Sequence, residues 1–384
     1  MGVIPRAATF LLTLSGLALA CSLGAGVKDR CNVDGDCNPG RTCQAGICGD
    51  PQPLVDPADG AACPVPCLTG GDGGPAGDTG SDATTPRASF LSCAGGGAGK
   101  RDCGPNHDED CCASLPVVGG TFYRSYDGVT FTDKTAPATV SSFALDKFEI
   151  TVGRFRTFTK AVVAGFRPQP GDGKHAHLPK GGLNGGVEVG WDQNWTPSLV
   201  TTTAAWDSAL ACAAGATWTS LPGTSETLPI TCASWVDLYA FCIWDGGFLP
   251  TEAEWNYAAA GGGEQRVFPW STPPPSSSVD CTTANYSACG PAVAYAGKTT
   301  AGRGRWGQAD LAGNVWERTL DVFVAAYASP SVDLAALSGT DRVLRGGSYV
   351  SSAAAATLTS SFRNHAPDVS RDVIVGGRCA RAPL

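Results

Sequence analysis

Seventeen cysteines in 384 residues, placed behind an apolar N-terminus, constrain this chain more than any other feature. The chain opens Met1-Gly-Val-Ile-Pro-Arg6 and then runs from Ala7 to Ala20 without a charge. One basic residue, a short apolar stretch and small residues at its end form a secretory signal. The stretch falls short of the roughly 20 apolar residues that span a bilayer. A segment rich in Pro, Gly and Cys follows at once, which fits a buried N-terminal helix poorly. An exported chain meets an oxidising compartment, so its cysteines are expected to be cross-linked.

The signal ends Leu17-Ala-Leu-Ala20-Cys21. Ala18-x-Ala20 suits ordinary signal peptidase. A cysteine directly after small and apolar residues also resembles a bacterial lipobox, with Ala18 where leucine is usual. Parity favours lipidation of Cys21: removing it leaves 16 cysteines, an even number. The expected location is the cell envelope, as an outer-membrane or cell-surface lipoprotein held to the membrane through Cys21.

Composition then divides the chain. Residues 1–20 are the signal and 21–30 a lipid-anchored tether. Residues 31–49 carry the spacing C-x5-C-x5-C-x4-C, too short a stretch for a core of its own, so disulfides would hold it. Zinc fits less well, because no tight C-x2-C pair is present. Residues 50–92 are a linker of Gly, Pro, Asp, Ser and Thr with few large apolar residues; Cys63 and Cys67 would close a small loop within it. Residues 93–115 hold Cys93, Cys103, Cys111 and Cys112. Adjacent cysteines rarely bond to each other, so Cys111 and Cys112 are expected to pair with Cys93 and Cys103, in an order left open. Residues 116–384 form the main domain.

With 43% hydrophobic residues and 10 Trp, the chain can bury a large core, while 50 Gly and 27 Pro predict many turns and modest regular structure. A net charge of −8 excludes nucleic acid as a natural partner. Phe148–Thr151 reads as a strand leading into a helix over 152–163. Trp235, Leu238, Tyr239 and Cys242 recur at helical spacing. Thr251 and Glu254 form a capping box for a helix over 252–260, stopped by Gly261-Gly-Gly263. Residues 342–349 read as a strand with a glycine kink, and 373–380 as a last strand.

The phrases LDKFEITVGRF (145–155), PITCASWVDLYAFCIWDGGFLPTEAEWNYAAAGG (229–262), GQADLAGNVWER (307–318), RVLRGGSY (342–349) and VGGRCAR (375–381) stand in this order. Together they resemble the formylglycine-generating enzyme family, the sulfatase-modifying factors, over residues 116–384. The resemblance implies a single α+β domain with little regular secondary structure, related to C-type lectins. It also implies a disulfide between Cys242 and Cys379, leaving Cys212 with Cys232 and Cys281 with Cys289 as the remaining pairs.

Members of this family that oxidise cysteine bind copper(I) between two thiolates, three and eight residues after the serine of the RGGS phrase. Soft sulfur selects copper(I). Here those positions are Ser351 and Ala356, so copper is not expected and no catalytic residue is assigned. A related branch uses iron held by histidines. His175 and His177 lie in a Gly/Lys/Pro loop read as solvated, and His107 and His365 offer no iron motif. Calcium is the cofactor the resemblance still implies. Its ligands would be the Asp310 and Glu317 carboxylates with the Gly313 and Val315 carbonyls, hard oxygen donors of the kind calcium takes. A second calcium site at Asn285 and Tyr286 would meet a shortened loop.

The expected function is therefore an exported, lipid-anchored, non-catalytic module that binds a protein or another ligand. A peptide or glycan would lie near Arg345, Ser348, Tyr349 and Arg363. The alternative is an active formylglycine-generating oxidase, or another metal-dependent enzyme of the superfamily.

Overall fold

The computed structural model describes residues 42–44, 47–49, 90–178, 188–276, 278–352 and 356–383. The signal, Cys21, the tether and the loop between Cys63 and Cys67 lie outside the described residues. No described helix is long and apolar enough to cross a membrane. The chain divides into two compact units, residues 1–83 and 84–384. In the first, β1 (Thr42–Gln44) and β2 (Ile47–Gly49) form an antiparallel hairpin that sets Cys43 opposite Cys48.

The second unit mixes short strands and helices. In chain order they are β3 (Ser114–Val117), β4 (Gly120–Tyr123), β5 (Pro137–Val140), β6 (Phe143–Asp146), α1 (Val152–Val163), α2 (Thr203–Leu210), α3 (Trp235–Trp244), α4 (Glu252–Ala259), β7 (Trp316–Val322), β8 (Ser331–Val332), β9 (Asp341–Arg345), β10 (Asn364–Pro367), β11 (Val375–Gly376) and β12 (Ala380–Arg381). The strands form three small sheets in the orders β10-β9-β7-β11, β12-β6-β3 and β4-β5-β8. This is an α+β architecture in which loops carry much of the chain.

Side-chain caps start the helices that build the core, Thr202 on α2 among them. Thr151 accepts from the Arg154 amide at the head of α1. Ser234 with Asp237, and Thr251 with Glu254, form reciprocal capping boxes on α3 and α4. α1 then turns Val152, Phe155, Phe158 and Val162 inward, all fully buried. Phe155 stacks on Phe241 of α3 at 5.6 Å between ring centres, and Phe158 meets Trp206 of α2. Each such side chain contributes roughly 1.5–3 kcal/mol by leaving water. Trp191, Trp195, Trp235 and Tyr239 extend this aromatic core.

Ten cysteines from Cys93 to Cys379 form five disulfides: Cys93–Cys112, Cys103–Cys111, Cys212–Cys232, Cys242–Cys379 and Cys281–Cys289. The order left open at Cys111 and Cys112 is thereby fixed. The cysteine cluster is also no separate segment. Arg154 of α1 donates to Ser92 Oγ, to the Cys111 carbonyl, and to the carboxylates of Asp146 and Asp245. Arg381 joins the same two carboxylates, giving a neutral buried quartet that ties residues 92–112 to α1, α3 and β12. The domain therefore starts near residue 90, where a boundary at 116 had been expected.

Two strands also differ from expectation. Phe148–Thr151 pairs with three separate segments and forms no ladder. The Ala309 amide reaches the Lys147 carbonyl just before it, Ile150 exchanges hydrogen bonds with Gly377 and Ile230, and Thr151 bridges Pro229. The regular strand lies one turn earlier, as β6. The C-terminal strand is two short pieces, β11 and β12, because residues 377–379 leave one sheet for another.

Candidate functional site

β9 ends at Arg345, and Gly346 and Gly347 then turn the chain with φ of +93° and +77°. A Cβ on Gly347 would lie 2.8 Å from the Thr357 carbonyl, so only glycine allows this approach. Beyond the turn, the Ser348 amide donates to Ser351 Oγ and the Ser351 amide to the Ser348 carbonyl, both at 2.9 Å. Ser351 thus closes a turn with its hydroxyl. Ala356 sits at φ +57°, its carbonyl capped by the amide and hydroxyl of Thr359. The two positions present a hydroxyl and a methyl group. Among residues 90–383 every cysteine is in a disulfide, so no described thiol could replace them.

Of the four residues expected to share a groove, Arg345 and Arg363 meet at the Glu252 carboxylate. Arg345 and Ser348 are fully buried, and Tyr349 is nearly so. Arg363 alone lines an open cavity. Arg345 is drawn inward because Glu252 at the head of α4 attracts it, at 3.2 Å.

The 310–317 loop forms a second site. Asp310 and Asn314 adopt left-handed backbone, and Gly313 packs so closely that a Cβ would lie 2.3 Å from the Asn285 carbonyl. Asp310 accepts from the Gly297 amide at 2.6 Å and from Thr299 Oγ1 at 3.2 Å. Glu317 accepts from Nε and Nη2 of Arg378, both at 2.7 Å, and from the Trp255 indole at 2.9 Å. Glu149, which sequence reasoning did not select, completes the group: it accepts from the Val315 amide and from Asn314 Nδ2. Burial pushes the Glu149 carboxyl well above the usual carboxylate range, and Asp310 and Glu317 push it further. Burial also raises Asp310, against the Gly297 amide and Arg378.

Glu149, Asp310 and Glu317 are thus buried around one guanidinium, Arg378, and the raised Glu149 and Asp310 carboxyls reflect burial beside like charge. In donor type these acids, with the Gly313 and Val315 carbonyls, fit a hard divalent cation. The carboxylates do not crowd together. Among the described residues, the one set of three potential ligand atoms within 4.8 Å is Cys93, Asp110 and Cys112, two of which form a disulfide. Calcium here would therefore depend on the carbonyls. Asn285 bonds to Asn314 and Ala292, while Tyr286 packs against the Val267 and Phe268 cluster.

The His175 loop corrects an expectation of solvent exposure. His175 is 1% exposed and lies on the Phe248 ring. Its Nδ1 is 2.8 Å from Glu188 and its Nε2 is 3.5 Å from Glu254, and His177 meets the other Glu254 oxygen at 2.8 Å. Burial lowers the His175 pKa, but Glu254 and Glu188 outweigh it and bring the ring up to about 9. The capping glutamate of α4 therefore also anchors two histidines.

A cavity of about 610 Å³ opens between the 124–136 loop, the 323–327 loop and residues 361–363. Arg363 grips Glu252 through Nε and Nη2, and Arg124 reaches the same carboxylate at 3.0 Å. The Tyr327 hydroxyl donates to Glu252 at 2.9 Å and shares a hydrogen bond with Ser125 Oγ at 2.8 Å. The signal for this cluster lay in LPTEAEW, where the capping box uses only the second acid of the helix head and leaves Glu252 for another partner.

Residues 99–383 match the family described as the sulfatase-modifying factor enzyme 1-like domain. The mouse protein named inactive C-alpha-formylglycine-generating enzyme 2 is 30% identical over 300 residues, 70% of this chain and 85% of that relative. Mouse formylglycine-generating enzyme is 26% identical over 271 residues, 62% of this chain and 66% of its own length, just under two thirds. The solved structure of PvdO from Pseudomonas aeruginosa aligns at TM-score 0.48 with 18% identity, covering 74% of this chain and 99% of that one. With its TEAEW helix, its GNVWE loop and its RGGS turn joined in one α+β domain, this chain belongs to the sulfatase-modifying factor family.

Proposed function

We propose that this protein is an exported, lipid-anchored envelope protein whose sulfatase-modifying-factor domain binds a ligand and does not oxidise cysteine. The observation that carries this reading is the pair Ser351 and Ala356. A hydroxyl engaged in its own turn and a methyl group cannot replace two soft thiolates. The existence of a relative named as inactive, at 30% identity, is in keeping with it. Cys21 would supply the membrane anchor, and a peptide or glycan would be the ligand.

In this reading the 310–317 loop holds calcium through Asp310, Glu317 and the Gly313 and Val315 carbonyls. The ion would supply structural charge balance, with Glu149 and Arg378 orienting the acids around it.

The direct test incubates the protein with a sulfatase-type cysteine peptide, copper and reductant, followed by mass spectrometry. No aldehyde above a metal-only control is expected. Catalytic product would replace the binding reading with the oxidase one. Ser351→Cys with Ala356→Cys is expected to gain copper binding.

A further inference from the structure

Beneath the 610 Å³ cavity the charges do not balance. Arg124, Arg345 and Arg363 surround Glu252, at 3.0, 3.2 and 2.5 Å. Asp321 adds a second carboxylate, 3.9 Å from Arg124. Three guanidiniums against two carboxylates leave one positive charge in a region where every member but Arg363 is nearly or fully buried. Burial alone would raise the Glu252 carboxyl, yet Arg345, Arg363 and Arg124 hold it at about 2. Burial and Glu252 raise Asp321 to about 6, so mild acid adds to the positive excess.

Aromatic packing shows the same crowding. The Arg124 and Arg363 guanidiniums both lie over the Tyr327 ring, at 3.9 and 4.2 Å from its centre. Two like charges are thereby held on one phenol. Arg124 Nε and Ser361 Oγ are buried without a hydrogen-bond partner, and both residues belong to the cavity wall. Unpartnered buried donors and uncompensated charge are costly unless a ligand completes them. Phe131, Phe323 and Phe362 add apolar surface to the wall. One acid, Asp133, stands at the wall and is turned to the Thr135 amide and hydroxyl.

We infer that this cleft is a ligand site for a carboxylate carried on an apolar or aromatic body, with the anion over Arg124 and Arg363 and the body against the phenylalanines. The inference rests on the binding reading and gives it a ligand class. Guanidinium groups pair with carboxylates through strong charge-assisted hydrogen bonds, and a cavity of this size lies within the usual range for small-molecule sites. The same chemistry has two sources, a free aromatic acid or the C-terminus of a peptide ending in an apolar residue.

Calorimetric titration of the whole exported protein tests it with defined probes. N-acetyl-phenylalanine should bind, and its C-terminal amide at least about tenfold more weakly, a difference of about 1.4 kcal/mol. Acetyl-Ala-Leu-Phe with a free carboxylate separates the sources: tighter binding than the single residue assigns the cleft to chain termini, equal binding to free acids. Ala326→Trp fills the exposed rim without touching the buried charges, so it should abolish binding and leave the melting temperature unchanged. Equal binding of acid and amide overturns the inference. So does undiminished binding by Ala326→Trp, equal binding of glucuronate, or no binding of either acid at millimolar concentration. The aldehyde assay reads catalysis alone, so the loss of either conclusion is seen separately.

Discussion

Removing the Cys242–Cys379 bond, by replacing both residues with alanine, should destabilise the domain by several kcal/mol. The bond joins α3 to the start of β12 across a separation of 137 residues. Closing a loop of that length removes about 5 kcal/mol of unfolded-chain entropy in the polymer treatment, and measured losses run at roughly 2–5 kcal/mol. The nested Cys281–Cys289 bond shortens the effective loop by only a few residues. Both sulfurs are fully buried, so their deletion also leaves small voids. At about 2–4 °C per kcal/mol for a domain near this size, a fall of about 10 °C is expected. Differential scanning calorimetry under non-reducing conditions measures it, with peptide mapping to confirm that the other four bonds remain. A fall of less than about 3 °C would refute the reasoning, because it would mean that residual structure already restrains the unfolded chain as much as the cross-link does.

Other outcomes follow from the charged clusters. His175 has a folded pKa of about 9, above its ordinary 6.5, so its stabilisation is fully present below pH 6.5 and lost as pH rises through 9. Glu252, held at about 2, stabilises above pH 4.5 and loses that contribution as pH falls through 2. Each shift corresponds to about 3 kcal/mol, so chemical denaturation across pH should show greatest stability between these limits; a flat profile would contradict both. Glu254→Gln should cost about 1.5–3 kcal/mol, since it removes one of the two carboxylates that hold His175 and leaves Glu188 alone, whereas Thr251→Ala should cost about 1 kcal/mol for the cap alone. Chelation should lower the melting temperature of the wild type, and Asp310→Asn should remove that shift; an unchanged melting temperature in chelator would remove calcium from the 310–317 loop.

Short-range chemistry was legible in the sequence. The capping box at Thr251 and Glu254 needs only residues three apart, and the helix stands where the spacing places it. The helices over 152–163 and from Trp235 follow from apolar periodicity, and the α+β class from phrases spread over most of the chain. Loss of both thiolate positions is a matter of residue identity alone. What the sequence could not determine was partnership between distant charges. Nothing local distinguishes the Glu254 that caps its helix from the Glu254 that buries His175, because that contact crosses 79 residues. Arg345 was expected at a surface, yet Glu252 holds it inside, since a buried arginine is stable only where a carboxylate meets it. Glu149 joins Asp310 and Glu317 for a similar reason: strands and turns from three parts of the chain converge before their charges meet. The 610 Å³ cleft exists only once the 124–136 and 323–327 loops face residues 361–363, so its excess charge belongs to the tertiary structure and to no single segment.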